Sequence, residues 1–375
     1  MNRGADATRD LATTVAFDVG PLVGRRTGIG MAVAALADAL AVDGRVTVEP
    51  YVLSFRATLD AGVRRLPLPA ALAHRTWSRV DRPRVDRWVR PATVVHGTNY
   101  VVPPTGPSIG RLVSVYDCWF LEHPELADGD VVRAGRVLDH AVRRGATVHA
   151  CSEATARAVA SHWPDADVRV VLLGPLPLAE PSPTAPFADL DGRPFVLSIG
   201  TLERRKNLPR LVAAFGELAA THPDLLLVIA GGDGDDRAAI DTAVDACDPS
   251  AGRRIVFTGY VDDRTRSWLL HHAAVLAYPS LDEGFGFPLL DAMAARVPIV
   301  ATAVGSIPEV ASDAALLVDA SDHVALAAAL DRALTDDAER ARLVAAGTVR
   351  RAQLSWRDTA DRIVSLYHEL SGGTS

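Results

Sequence analysis

Lysine is almost missing from this chain. Of 39 basic residues, 38 are arginine and one, Lys206, is lysine. Arginine serves wherever a generic positive charge is wanted, so the lone ammonium invites inspection. Cysteine is also scarce. Cys118, Cys151 and Cys247 are widely spaced with no CxxC pair, which argues against a zinc knuckle and a disulfide framework and leads us to expect a reducing, cytoplasmic compartment. The opening MNRGADATRDLATT lacks the apolar stretch of a secretory leader, and no run approaches the ~18 uninterrupted apolar residues of a membrane span. Positive charge is not in excess. The net charge is −7, so nothing draws the whole chain to nucleic acid. What is present is apolar: 49% hydrophobic against 23% charged residues over 375 positions is enough for two sizeable cores and excludes wholesale disorder.

The apolar pattern alternates between short runs and helical spacings. Residues 1–12 are polar and expected to fray. Strand-like runs fall at 13–18, 45–53, 93–96, 110–116 and 147–152, interleaved with helical spacing from Gly28, at 131–144 and at 153–162. The segment LPLAEPSPTAP (176–186) is the most proline-dense and reads as a linker. Strands then return at 195–200, 225–230, 255–259, 275–278 and 299–303. Helices are expected between them and over 323–346 and 356–370. Such alternation implies α/β architecture with parallel sheets and right-handed crossovers. We therefore expect a first domain over 13–175, a linker over 176–193, a second domain over 194–355 and a last helix over 356–370. Ligands of such sheets bind beyond the strands' carboxyl ends, so those junctions carry the chemistry.

Three junctions stand out. Gly28-Ile29-Gly30 opens a helix; a dinucleotide fingerprint would need glycine at Val33, so the pair reads as a turn that lets backbone approach a ligand. Gly200-Thr201-Leu202-Glu203-Arg204-Arg205-Lys206-Asn207 follows a strand directly, and its Arg205 and Lys206 suit a pyrophosphate. Pro279–Ala294 (PSLDEGFGFPLLDAMA) carries Glu283 in a glycine-rich loop and Pro288 in the first turn of a helix. The amides of Phe287 to Leu290 are expected to face an anion, with Glu283 and Asp291 looking into one pocket. Asp233-Gly234-Asp235 reads as loop capping rather than a metal site, and His271-His272 lack further ligands at useful spacing. His96, followed by Gly97, Thr98 and Asn99, either lines the cleft or makes a structural hydrogen bond. Eight arginines and two aspartates give residues 61–90 a net +6, interleaved with Trp77 and Trp88. This stretch is either a solvated basic face or a surface drawn to anionic lipid at the inner face of a membrane or to a phosphorylated acceptor.

GTLERRKNL, TGYVDD, YPSLDEGFGFPLLDAMA and VPIVATAVGSIPEVASDAALLVD resemble the C-terminal half of retaining nucleotide-sugar glycosyltransferases of family 4, which have the GT-B fold. TGIG, HGTNYVVP, DCWFLEHPE and CSEATARAV are similar to the N-terminal half. The resemblance implies two Rossmann-like domains facing across a cleft. The donor would lie on Arg205, Lys206, Glu283, Gly284, Phe285, Gly286, Phe287 and Asp291, aided by Gly28 and Gly30. The acceptor side would be His96, Asn99, Tyr116 and Asp117. Asp117, Lys206 and Glu283 are the implied catalytic residues. No metal or other cofactor is implied; the nucleotide diphosphate sugar is a co-substrate, with GDP-mannose the first guess. The acceptor would be a sugar, a glycolipid or another small molecule, such as a cell-surface polysaccharide precursor. Two departures from the family pattern bear on catalysis: Asp291 stands where Glu is usual, and Tyr116 where His is usual. They keep open an impaired nucleotide-sugar-binding protein, or an epimerase on the same fold.

Overall fold

A computed structural model describes residues 13–24, 27–54, 58–59, 61–190 and 192–372; the polar start, 1–12, lies outside the described residues. Two parallel sheets organise the chain. The first contains β1 (Thr14–Asp18), β2 (Thr47–Val52), β3 (Arg64–Arg65), β4 (Val94–Gly97), β5 (Gly110–Val115), β6 (Thr147–Ala150) and β7 (Val168–Val170). Their spatial order is β3-β2-β1-β4-β5-β6-β7. The second contains β8 (Phe195–Ile199), β9 (Leu226–Ala230), β10 (Ile255–Gly259), β11 (Val275–Tyr278), β12 (Ile299–Thr302) and β13 (Ala315–Val318), ordered β10-β9-β8-β11-β12-β13. Both are doubly wound. The chain returns to the middle of each sheet before building the other half, so a crevice opens between β1 and β4 and between β8 and β11. β4, β6, β9, β11 and β12 are buried along their whole lengths, which explains the near-continuous apolar runs of β9, β11 and β12, whereas β4 and β6 carry His96 and His149 inside.

Local chemistry sets most boundaries. Thr27, Ser152 and Asp262 each accept an amide hydrogen bond at the start of the following helix. The single helix expected over 323–346 is two, His323–Thr335 and Asp337–Ala352. Asp336 leaves helical geometry and caps the second by accepting from the Glu339 amide at 3.0 Å. β3 and β7 are short, partly exposed and lack a continuous apolar run, so they escape a reading based on periodicity; β13, ALLV, is apolar throughout but buries only its first residue fully. Within the arginine-rich stretch, Trp77 is not a surface ring: it ends the helix Ala70–Trp77, is 2% exposed and donates Nε1–H to the Pro83 carbonyl at 3.1 Å.

The last helix, Trp356–Gly372, packs against the helix Gly28–Asp43 of the first sheet's layer and buries Ile363, Val364 and Tyr367 there. A buried relay fixes it. His149 Nε2 lies 3.0 Å from the Val171 carbonyl, which can only accept, so that nitrogen carries the hydrogen. His149 Nδ1 then accepts from the Ser114 hydroxyl at 2.9 Å, Ser114 Oγ accepts from His96 Nε2 at 2.8 Å, and His96 Nδ1 accepts from the Tyr367 hydroxyl at 2.6 Å. Every member is satisfied only while both rings are neutral. Burial accordingly depresses both imidazoles, His149 from 6.5 to about 4.

A depressed folded-state value means that the unfolded chain takes up protons first. Stability from this relay is therefore complete above pH 6.5 and lost as pH falls toward 4, on the order of 3 kcal/mol from His149 alone. Thermal melting should show the midpoint falling over that window, and less steeply in His149→Asn; parallel curves for the two proteins would contradict the assignment.

Candidate functional site

The loops after β8 and β11 flank the crevice of the second sheet, and hydrogen bonds bind them to each other. Asn207, at the end of the RRK turn and in left-handed backbone (φ 53°), donates Nδ2–H to the carbonyls of Pro279 and Ala320, both at 3.0 Å. The Leu281 amide donates to the Arg205 carbonyl at 2.7 Å, and Arg205 Nη1 donates to the Asp282 carbonyl at 3.2 Å. Glu283 is thereby placed between the two cations. Arg205 Nη1 lies 2.7 Å from its Oε2, and Lys206 Nζ lies 2.5 Å from its Oε1. The Ser280 hydroxyl donates a third bond to Oε1 at 2.8 Å.

The electrostatics follow from burial. Glu283 is 6% exposed, and burial alone would raise its carboxyl; Lys206, Arg205 and the Ser280 hydroxyl outweigh that and hold it at about 2. Burial pulls the Lys206 ammonium below its ordinary value, and the like charge of Arg205 adds to this against the attraction of Glu283. The ring of Tyr278 lies beneath Nζ, with its centroid 5.1 Å away. Two cations thus converge on the Glu283 carboxylate at a strand end, and Glu203 Oε2 lies a further 3.7 Å from Arg205 Nη2. An anion with several oxygens fits such a place.

The first domain closes the site. A Cβ on Gly284 would lie 1.6 Å from the Tyr116 carbonyl oxygen, so only glycine allows the Glu283 loop to approach so closely. The Thr155 hydroxyl, 3.0 Å from the Tyr116 carbonyl and 3.3 Å from that of Gly284, and Cys151 Sγ, 3.2 Å from each, join the two segments. Further out, Glu309 of the second domain accepts from the Glu153 and Ala154 amides of the first, with Oε2 at 2.9 and 3.4 Å. Asp117 comes to face the cationic pair; burial raises its carboxyl, while Arg205 and Lys206 draw it down and Glu283 opposes them. Its amide donates to the Tyr100 hydroxyl at 3.3 Å, and Tyr100 itself adopts left-handed backbone (φ 59°).

Residues 186–350 match the family described as Glycosyl transferases group 1. The second domain is a group 1 glycosyltransferase domain. The chain is 34% identical over 177 residues to O-antigen chain mannosyltransferase B of Escherichia coli, covering 46% of this chain and 45% of that protein. It is 36% identical over 199 residues to the phosphatidyl-myo-inositol mannosyltransferase of Mycolicibacterium smegmatis, covering 50% of each. The chain thus spans about half the length of these relatives. The whole architecture superposes on sucrose-phosphate synthase from Thermosynechococcus elongatus with a TM-score of 0.72 at 22% identity, covering 96% of this chain and 100% of that one. The fold is GT-B.

Around this glycosyltransferase domain, several expected positions differ. Asp291 does not open beside Glu283. It is 1% exposed, its Oδ2 is paired with Arg266 Nη1 at 2.5 Å, and burial raises its carboxyl to about 6 despite that pairing. Its other oxygen is buried and meets no hydrogen-bond partner among the described residues. Of the amides from Phe287 to Leu290, Leu289 already donates to the Gly286 carbonyl at 3.0 Å, and Pro288 has none. The helix Phe287–Ala295 starts from Gly286 in left-handed backbone (φ 87°) with no side-chain cap; Phe285 is buried and meets Phe287 edge-on, centroids 5.2 Å apart. His96 does not line the cleft, because it is fully buried in the relay to Tyr367. Asn99 keeps a buried Oδ1 with no hydrogen-bond partner among the described residues. Tyr116 is buried, 6.3 Å from the Tyr100 ring centroid. Gly28 is exposed at its helix start, whereas Gly30 is buried and its amide meets Thr27 Oγ1 at 3.5 Å. Asp233 pairs with Arg237 at 3.1 Å, and Asp235 accepts from the Arg204 amide at 2.8 Å.

The sequence reading missed Asp18 at the end of β1, where burial raises the carboxyl to about 7. Its signal was an acid closing the strand that borders the first crevice. Arg266, Thr155 and Glu309 had no signal, since each acts through a residue distant in the chain; Ser280, three residues before the Glu283 it serves, lay inside the PSLDEGFGF motif and was passed over.

Gly284→Ala should force the domains apart or displace the loop that carries Glu283. Small-angle X-ray scattering should show a larger radius of gyration, and nucleotide affinity should fall. Unchanged scattering with unchanged affinity would contradict the close approach.

Proposed function

We propose that the chain is a retaining glycosyltransferase that moves a sugar, mannose or another hexose, from a nucleotide diphosphate donor to an acceptor hydroxyl. The convergence of Arg205 and Lys206 on Glu283 beside Asp117 carries this reading. The similarity of half the chain to mannosyltransferases favours mannose, with GDP-mannose as the donor. With the donor bound, its diphosphate takes the two cations, and Glu283 turns its released oxygens to the sugar hydroxyls. The unpartnered Oδ1 of Asp291 is the acceptor left for a ribose hydroxyl, once the closed wall around it parts.

As the bond from the sugar's anomeric carbon to the diphosphate oxygen stretches, negative charge collects on the leaving group. Lys206 and Arg205 are already oriented to meet it, so little reorganisation is needed at the moment of reaction. The acceptor attacks from the face the diphosphate leaves. Its proton passes to a leaving diphosphate oxygen, and no protein nucleophile is needed. Asp117 positions the acceptor or the sugar from the opposite domain. Closure of the first domain over Gly284 excludes water and limits hydrolysis of the donor. No step uses a metal.

Lys206→Ala should lower kcat by roughly 10²–10³-fold, beyond any change in KM for the donor. Arg205 still pairs with Glu283 in that variant, and a melting curve checks that it folds. An unchanged kcat would overturn the role of Lys206. A thermal-shift screen of nucleotide sugars should give its largest shift with GDP-mannose. Conversion of that nucleotide sugar into its epimer, with no acceptor present, would instead indicate an epimerase.

A further inference from the structure

A cavity of about 510 Å³ lies in the first domain, away from the cationic pair and unused by the reaction above. Its floor is apolar, built from Phe120, Leu121, Val132 and the ring of Trp163. Its rim is basic, with Arg79, Arg136 and Arg143. Asp139 is the one carboxylate in the lining, and it is already engaged. Its Oδ1 accepts from Arg143 Nε at 2.9 Å and from Trp163 Nε1 at 2.8 Å. Among the described residues, Arg79 and Arg136 have no carboxylate partner. His162 also lines the cavity, and its buried Nε2 has no hydrogen-bond partner among the described residues; Glu122 Oε1 is 4.0 Å away. Two guanidiniums without a carboxylate partner, of which Arg79 spends Nη1 on the Arg75 carbonyl at 3.1 Å, stand with the imidazole nitrogen above an aromatic floor and are complementary to an anion that carries an apolar tail.

The cavity's position gives that chemistry a use. Phe120 follows Asp117 by three residues, so their Cα atoms can be no more than ~11 Å apart. The short helix Trp119–Glu122 between them is anchored to Asp117, whose Oδ1 accepts from the Trp119 amide at 3.3 Å. The Phe120 ring also meets Tyr100, centroids 5.0 Å apart, and Tyr100 holds the Asp117 amide. One wall of the cavity, Phe120, is thus coupled directly to the residues that hold Asp117.

We propose that this cavity seats the phosphate end of an amphiphilic acceptor, a phosphate ester joined to an apolar chain, and so presents the acceptor's hydroxyl toward Asp117. The phosphate oxygens meet Arg79, Arg136 and His162 Nε2, and the first carbons of the tail cover Phe120, Leu121 and Trp163. The assignment of the bound molecule as acceptor rests on the glycosyl-transfer reading; the anion-plus-tail chemistry of the cavity does not.

Calorimetric titration of the whole chain with decyl phosphate, below its micelle concentration, tests the site. Decyl phosphate should bind saturably, with decanol and inorganic phosphate each weaker by roughly tenfold or more. The double substitution Arg79→Gln and Arg136→Gln, both on exposed side chains, should weaken decyl phosphate by roughly tenfold or more while leaving the melting midpoint in place. Equal binding of decanol would remove the anion site. Equal binding of inorganic phosphate would make it a free-phosphate site and remove the tail. An unaffected double variant would place the binding elsewhere. Binding to phosphatidylglycerol-containing vesicles without saturable binding of monomeric decyl phosphate would reduce the feature to surface charge. Separate titrations of the unaltered chain with GDP and with UDP distinguish the two readings: binding of neither fails the transferase proposal and the naming of the bound molecule as acceptor while leaving the anion-plus-tail site, and lack of decyl phosphate binding fails that site alone.

Discussion

Glu283 is buried between Arg205 and Lys206, and neither side of that cluster is stable alone. Without the cations, a carboxylate 6% exposed would protonate; without the carboxylate, two neighbouring positive charges would repel each other in a poorly hydrated crevice. The loops after β8 and β11 are consequently fixed to each other through Asn207 and Leu281 as well as through the charges. The cost of holding the cations together is met in the folded protein, before any ligand arrives. A diphosphate then exchanges one anionic partner for another in a site that is already shaped.

The same cluster gives the two domains a reason to meet. Gly284 follows Glu283 directly, so any movement of the carboxylate reaches the contact with Tyr116 and the bonds to Thr155 and Cys151. One apolar cluster also runs from Tyr100, Tyr116 and Cys151 to Tyr278, Phe285 and Leu289. The charge balance of the donor site and the apposition of the domains are thus parts of one arrangement. The GT-B layout supplies two crevices, and this loop brings them into register.

Much of this was legible in the chain itself. The alternation of apolar runs and helical spacings gave the parallel architecture, and the central strands were readable because both of their faces are buried. The strand-end motifs of Arg205, Lys206 and Glu283 were readable because chemistry collects where doubly wound sheets end. Short edge strands such as β3 and β7 were not, since half-exposed runs of two or three residues leave no period. Asp336 divided a helix that apolar spacing alone would have continued, because one side chain accepting a backbone amide outweighs a weak periodic signal.

Composition and local spacing therefore determined that this is a two-sheet α/β chain whose lone lysine stands at a strand end beside an arginine. Those properties depend on neighbours a few residues apart, and sequence preserves such relations. Only the tertiary structure decided which polar groups are taken and which are free. His96 is committed to Tyr367, 271 positions away, and Asp291 to Arg266, while Arg79 and Arg136 meet no carboxylate among the described residues. The pairing of a buried group is set by what the fold brings to it from elsewhere in the chain, and no local pattern records that partner.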